Sequence, residues 1–145
     1  MTTLHHLMHS EFQGITAALS AENLPIADLD QRGRIFFRCD DASRVIGYGG
    51  FELYGVNALL RSVVVLPQSR GHGQGAILVR ALEAHARQNG VAAIWLLTTA
   101  ATAFFDKQGY VRVERSLAPP AIAASREFTS LCPASATCMT KVLGQ

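Results

Sequence analysis

The sequence predicts a mixed α/β domain: an antiparallel meander followed by one parallel crossover, forming a central mixed sheet with helices on both faces. Three observations carry that prediction. Three β-rich stretches, 34–40, 44–55 and 56–66, follow one another with only tight turns between them, and strands joined so closely pair antiparallel. The third ends in "SVVVLP" and runs through a glycine-rich turn into a helical pattern that returns at "VAAIWLLT", which is a strand–helix–strand crossover. Finally, a chain of 145 residues with 49% hydrophobic and 17% charged side chains can fill one core and is too apolar to be disordered. Residues 1–145 are expected to form one domain.

Taken in order, "MTTLHHLMHSEF" is expected to be a mobile terminus. Its His5, His6 and His9 lack a nearby acidic or cysteine partner, so no metal site is assigned to them. Residues 10–22 set Phe12, Ile15 and Leu19 at helical spacing behind Ser10, the expected N-cap, and this helix ends before Pro25. "ADLDQRG" reads as a connector. "RIFFRCD" and "RVIGYGGFELYG" form a hairpin about "DDAS", with Gly47, Gly49 and Gly50 leaving room for a close neighbour or a bulge. "VNALLRSVVVL" is apolar enough at its end to be a central strand, and Pro67 stops it.

From Ala76 onward, Leu78, Leu82 and Ala86 mark the apolar face of a helix, while Arg80, Glu83 and Arg87 mark a polar face. Glu83 and Arg87 are spaced as an i,i+4 ion pair, and Gly90 closes the helix in the left-handed conformation. Then come a strand buried on both faces, "VAAIWLLT"; a short helix, "AATAFFDKQG", ended by Gly109; and a strand, "YVRVERS". "LAPPAIAASREFTSLCP" reads as a turn and a helix, and "ASATCMTKV" as the last strand.

The formal charge is +2, with thirteen basic residues scattered along the chain. That excludes a nucleic-acid footprint and a membrane-surface footprint. The three cysteines, Cys39, Cys132 and Cys138, are odd in number and contain no CxxC pair, which fits neither a disulfide scaffold nor a zinc site. No signal peptide and no run of about 18 uncharged apolar residues is present, so a soluble protein of the reducing cytoplasm is expected.

The glycine-rich turn "RGHGQGA", residues 70–76, lies between a strand and a helix. Bare backbone there can aim several N–H groups at an anion, with the positive end of the helix dipole behind them. A flexible linker is the plain alternative. Gly71, Gly73 and Ala76 also fit the dinucleotide fingerprint for NAD or FAD, but Thr98 and Thr99 stand where that fingerprint expects an acid, and only one crossover is available. The P-loop pattern is absent.

In the register Arg70-x-x-Gly73-x-Gly75, directly after "SVVVLP", the turn resembles the pyrophosphate-binding motif of the GNAT superfamily of N-acetyltransferases. "TTAATAFFDKQGY", residues 98–110, is similar to that superfamily's later N-x-x-A-x-x-F-Y-x-x-x-G-F element, with Ala101, Phe104, Gly109 and Tyr110 in place. The resemblance implies a GNAT-like fold and acetyl-CoA as cofactor. Backbone from Arg70 through Gly71, His72, Gly73, Gln74 and Gly75 would hold the pyrophosphate, with Ala76 and Phe104 beside it. Val63, Val64 and Val65 would pair with pantetheine as an added strand would. More narrowly, "GFELYGVNALLRSVVVLP", "LLTTAATAFF" and "REFTSLCPASATCM" are similar to small N-acetyltransferases associated with arsenic resistance. That likeness implies detoxification by acetylation of a small amine, such as an amino-acid-like arsenical of the arsinothricin type or a related antimetabolite.

Two positions depart from the superfamily pattern: the tyrosine that commonly protonates the leaving thiolate is Phe105, and the usual asparagine is Thr98. For the base, Glu52 at the end of the second hairpin strand is the candidate, with a solvated strand-end carboxylate as the alternative. Arg61, charged within an apolar strand, must meet a carboxylate. Its partner is either Glu52 itself or the acidic group of an acceptor, which Tyr54 would flank as a hydrogen-bonding wall. Ser62 is a second catalytic candidate and Tyr110 a third; His72 faces solvent or the coenzyme phosphates; Trp95 and Phe104 read as core. Cys132 and Cys138 read as inert buried thiols, with trivalent arsenic as their other reading. The rival function is a catalytically silent CoA-binding or regulatory module. The apolar edge after residue 116 points to a homodimer.

Overall fold

Between residues 34 and 65 three strands follow one another through tight turns, because each break between them is chemically a turn. The computed structural model describes residues 2–144. Strands β1 (Thr2–His6), β2 (Arg34–Asp41), β3 (Arg44–Tyr54) and β4 (Asn57–Val65) form an antiparallel meander, with α1 (Gln13–Ala21) inserted after β1. The β2–β3 hairpin turns on Ala42 and Ser43, both at positive φ (51° and 68°), opposite the pair Asp41 and Arg44. A two-residue turn needs that conformation to match the strand twist, whichever residues occupy it.

From β4 the chain crosses through α2 (Gln74–Gln88) to β5 (Ala93–Thr98), the single parallel neighbour in the sheet. Then follow α3 (Thr102–Lys107), β6 (Val111–Val113), α4 (Pro120–Ala123) and β7 (Thr137–Val142). The strand order is β1-β2-β3-β4-β5-β7-β6, so the last strand slots between β5 and β6. Alternation along the strands sends Phe37, Phe51, Leu60, Ile94 and Met139 to the face covered by α2, where Leu78, Val79, Leu82 and Ala86 are buried. Phe36, Tyr48 and Val64 face the other way, onto Ile15 and Leu19 of α1. Leu59 on that second face packs under Ala118 and Ile122. Gly49 and Gly50 permit this layering: a Cβ at Gly49 would lie 2.6 Å from Leu82 Cδ1, and one at Gly50 2.3 Å from Phe36 Cδ1.

Several expectations are corrected. The N-terminus is an edge strand, not a mobile segment. Its residues cover the outer edge of β2, which would otherwise be unpaired, and Leu7 is buried with its N–H on the Phe36 carbonyl at 2.8 Å. His5 pairs with Glu11 at 2.9 Å, and His6 packs its ring on Phe37. Ser10 caps nothing, because a 3-10 turn over His9–Glu11 precedes α1. Glu83 is not on a polar face with Arg87. It is buried, accepting from Tyr110 Oη at 2.8 Å and Lys141 Nζ at 3.0 Å, while Arg87 donates to the Gly144 carbonyl. Residues 120–131 are not one helix. The Ser125 hydroxyl donates to the Ile122 carbonyl at 2.6 Å as α4 ends, and a wide π-type turn, Glu127–Leu131, closes with Cys132 N–H on the Glu127 carbonyl.

One irregularity makes the site. Between the pairs Tyr48↔Val64 and Gly50↔Arg61, β4 carries one residue more than β3. Ser62 there adopts φ 59°, the left-handed conformation, within a bulge. β4 and β5 pair only from Asn57 to Leu59 against Ala93 to Trp95, and beyond that they part.

Candidate active site

The parting of β4 and β5 opens a cleft of about 840 Å³. Leu60 to Val65 form one wall; Leu96 to Ala101, with Phe104 and Phe105, form the other. On this side β4 has backbone groups with no strand partner, as an added extended segment requires.

One end of the cleft is the glycine turn. Gly71 and Gly73 sit at φ 83° and 71°, and a Cβ on either would meet nothing within 4 Å. Their surroundings are therefore open, and their backbone is one that side chains resist. Gly73 precedes the 15-residue α2, whose first amides have no intrahelical acceptor. Arg70 ties the turn to the end of β4 by donating from Nε to the Val65 carbonyl at 2.9 Å, and it pairs with Glu22 at 3.0 Å. At Gly75 a Cβ would come 3.0 Å from Phe104 Cε1, so Phe104 packs on the turn while lining the cleft. The Oε1 atom of Gln74 is buried without a hydrogen-bond partner, an acceptor left for a donor on whatever fills the cleft. These features fit a ligand with a diphosphate and an amide-bearing arm: Gly71 to Ala76 would hold the first, Val63 to Val65 the second. His72 is exposed and outside the cleft lining.

The other end is built on Arg61. The guanidinium is buried beneath the cleft and nearly all its donors are spent. Nη1 donates to Asp28 Oδ2 at 2.5 Å and Glu52 Oε2 at 2.8 Å, Nη2 donates to Asp28 Oδ1 at 2.6 Å, and Nε donates to Ser62 Oγ at 3.2 Å. Nη2 also pairs with Glu127 at 3.2 Å, and Arg34 adds a contact to Asp28 at 3.1 Å. Burial alone would oppose the charge on Arg61, but the carboxylates of Asp28, Glu127 and Glu52 more than offset it and raise its pKa. Asp28 shows the converse: burial disfavours its ionised form, yet the hydrogen bonds and charge of Arg61, then of Arg34, hold its carboxyl below the usual range.

Of the two partners the sequence allowed Arg61, the structure brings Glu52 to it, and most of the guanidinium's donors are already engaged. Glu52 is buried, outside the cleft lining, and accepts from Tyr54 Oη. Burial and that hydrogen bond push the Tyr54 phenol up to about 12. Ser62 does line the cleft. Tyr110 is committed to Glu83, and Phe105 is buried between Phe104 and Tyr110 with ring centroids 5.0 and 5.3 Å apart. Trp95 donates to Asn57 Oδ1 at 3.2 Å.

Asp28 and Glu127 were not legible as site residues in the sequence, where Cys132 reads only as an inert buried thiol or an arsenic ligand. Asp28 lay in an apparent connector and meets Arg61 across 33 positions. Glu127 and Cys132 lay in an expected helix and its end. They line the cleft together, Cys132 Sγ donating to Glu127 Oε2 at 2.9 Å. Burial, reinforced by that bond, pushes the Cys132 thiol up to about 12. The only signal was the charge of Arg61 in an apolar strand, which called for partners without naming them.

A strand-edge slot that starts at a glycine turn and a helix N-terminus, in a sheet with a single parallel pair, has the architecture of an acyl-coenzyme A transferase and not that of a dinucleotide-binding unit. Comparison with known proteins makes the assignment specific. Residues 1–110 match the acetyltransferase (GNAT) family, and the chain belongs to it. It is 33% identical over 127 residues to an uncharacterised N-acetyltransferase of Chlorobaculum tepidum, covering 87% of this chain and 76% of that one. Among solved structures, N-acetylglutamate synthase from Neisseria gonorrhoeae, complexed with coenzyme A and N-acetyl-glutamate, superposes with a TM-score of 0.81 at 13% identity. The match covers 100% of this chain and 36% of the synthase, so this chain spans about a third of its length. Rv2747 from Mycobacterium tuberculosis, in complex with CoA, gives 0.77 at 20% identity over 98% of this chain and 99% of that one. These two likenesses concern the fold. By family, the protein is an acetyl-CoA-dependent N-acetyltransferase.

Proposed function

We propose that residues 1–145 act as one domain that transfers acetyl from acetyl-CoA to the amino group of a small molecule. The observation that carries this reading is the splay of β4 from β5 beyond Leu59, which leads from the glycine turn to the carboxylates around Arg61. Pyrophosphate on Gly71 to Ala76 and pantetheine along Val63 to Val65 would bring the thioester toward Ser62. Unpaired β4 backbone N–H groups there are the donors for the developing oxyanion. Glu52 serves by fixing Arg61, with Tyr54 closing the network. No described residue supplies a phenol to the leaving sulfur, and a CoA thiolate departs without one at neutral pH.

The narrower acceptor suggested by the sequence, an acidic arsenical such as arsinothricin, gains nothing from Arg61, whose donors are committed. It stays in the test panel as one small amine among others. The free state of Cys39, Cys132 and Cys138 favours a reducing cytoplasm. Among the described residues no helix is long and apolar enough to cross a membrane. Leu117, 65% exposed beyond β6, is where a homodimer would form.

The test is thiol release from acetyl-CoA over a panel of small amines, including amino acids, diamines and arsinothricin, with calorimetric titration of the coenzyme alongside. Turnover with at least one amine is expected. Coenzyme binding without thiol release from any amine would favour the silent binding module, the reading that the burial of Phe105 and the engagement of Tyr110 support.

A further inference from the structure

We infer that Glu127 is the group on which the acceptor's ammonium docks and to which it gives its proton, so that the enzyme selects amines with a cationic or neutral flank over those with a carboxylate. The inference rests on the proposed amine acetyltransferase function and adds the base and the acceptor class to it.

Three carboxylates, Asp28, Glu52 and Glu127, surround two guanidinium groups, Arg34 and Arg61. These five groups together carry one formal negative charge in excess. Asp28 is fully engaged, both oxygens by Arg61 and one also by Arg34. Glu52 is closed off by Arg61 and Tyr54. Glu127 alone of the three lines the cleft. Its Oε1 faces Arg61, and its Oε2 receives only the thiol of Cys132. A thiol is a weak donor, and an ammonium arriving along the cleft replaces it with a charge-assisted bond.

Position and chain geometry agree with that role. Glu127 opens the wide turn Glu127–Leu131, an irregularity of the kind that re-aims a side chain. Of the other cations nearby, Arg70 lies at the glycine-turn end of the cleft, and Arg115, whose buried Nε has no hydrogen-bond partner, lies outside the cleft lining. Arg70 is held by Glu22 and the Val65 carbonyl. Arg115, behind Cys132, stacks on Phe128 and reaches the Pro133 and Ala134 carbonyls with its terminal nitrogens.

The step balances without a further reactant. The ammonium gives one proton to the Glu127 carboxylate, and the freed nitrogen lone pair forms the N–C bond to the thioester carbon. The C–S bond then breaks, and the thiolate takes the second nitrogen proton. The products are amide and CoA thiol, with one proton passed from Glu127 to solvent.

The experiment uses the best acceptor of the amine panel. In Glu127→Gln, kcat/KM should fall about 10²- to 10⁴-fold, the range for loss of a general base. KM for the amine should rise, and the Kd for acetyl-CoA should stay within about twofold, since coenzyme binds at the other end of the cleft. Competition against that acceptor gives the second readout. 1,4-Diaminobutane should inhibit the wild type about tenfold better than 4-aminobutanoate, a charge preference that collapses in the variant. If Glu127→Gln does not fold, Glu127→Asp carries the test. It keeps the charge beside Arg61 but withdraws it by one carbon, and it should lose at least about tenfold in kcat/KM with coenzyme affinity intact. Wild-type turnover that either folded variant retains in full, or equal inhibition by the two competitors, overturns the inference alone. A wild type that releases no thiol with any amine removes the proposed function and this inference together.

Discussion

Arg61→Met tests whether the charge under the cleft holds the fold. The arginine side chain is 1% exposed, and its removal leaves Asp28 and Glu52 with Arg34 alone and takes from Glu127 its guanidinium partner. Breaking a buried ion pair from one side costs about 3–5 kcal/mol, because the stranded partner keeps its desolvation penalty. That is about a fifth or more of the roughly 5–15 kcal/mol expected for a domain of this kind. At about 3 °C per kcal/mol for this size, the melting temperature should fall by about 10–15 °C. The pH dependence has a definite sign. Asp28 is held below the ordinary value of 3.8, so its stabilisation is complete above that value and is lost as pH falls through the lower folded value. Without Arg61 that depression disappears, and the stranded carboxylates take up protons as the solution is acidified. The stability deficit of the variant should therefore be full above 3.8 and shrink as the pH falls below it. Urea unfolding of both proteins at about pH 7.5 and about pH 3 measures it. A deficit under about 1 kcal/mol at the higher pH, or one of equal size at both, refutes the account of a charge-locked floor.

Three further outcomes follow from the same geometry. Gly73→Ala places a Cβ at φ 71°, a conformation that costs about 1–2 kcal/mol for an L-residue. If the turn relaxes to avoid it, acetyl-CoA binding should weaken by about tenfold; a calorimetric titration that overlays the wild type would show that the turn does not hold the coenzyme. Glu83→Gln removes a buried charge that Tyr110 and Lys141 both contact, and should cost about 1.5–3 kcal/mol while kcat/KM is unchanged. Lost activity at full stability would instead tie Tyr110 to the chemistry. Burial pushes Cys39 up to about 11 and Cys132 up to about 12. With a thiolate fraction on the order of 10⁻⁴ at Cys132 near pH 8, iodoacetamide should label the native protein slowly and the urea-unfolded protein at all three thiols. Rapid native labelling at Cys132 would mean that its bond to Glu127 does not persist in solution.

Much of the fold could be read from the chain because local rules act over short distances. The branched run at Val63 to Val65, the apolar face of Leu78, Leu82 and Ala86, and the glycines of residues 71–75 each specify their structure within one or two turns of backbone. Where a residue's conformation depends on a distant partner, the reading failed. Glu83 looked like a surface residue because its partners, Tyr110 and Lys141, lie 27 and 58 positions away. The terminal strand looked mobile because five residues with a single apolar side chain, Leu4, acquire order only by pairing with β2. Ala42 and Ser43 gave no glycine or asparagine to announce a positive-φ turn; the strands they join impose it.

The sequence by itself determined the sheet-and-crossover class, the glycine turn between strand and helix, and the need for a carboxylate at Arg61. Each follows from hydrophobic period, backbone freedom or the cost of an unpaired charge, and none requires knowing what lies across the molecule. Tertiary structure alone decided that Arg61 would be closed by Asp28, Glu52 and Glu127 together, that Ser62 would bulge and part β4 from β5, and that Glu127 would be the carboxylate facing the gap. The physical reason is that electrostatic compensation is satisfied in space. Packing the 120–131 segment over Leu59 brings Glu127 to within 3.2 Å of a guanidinium 66 residues earlier in the chain.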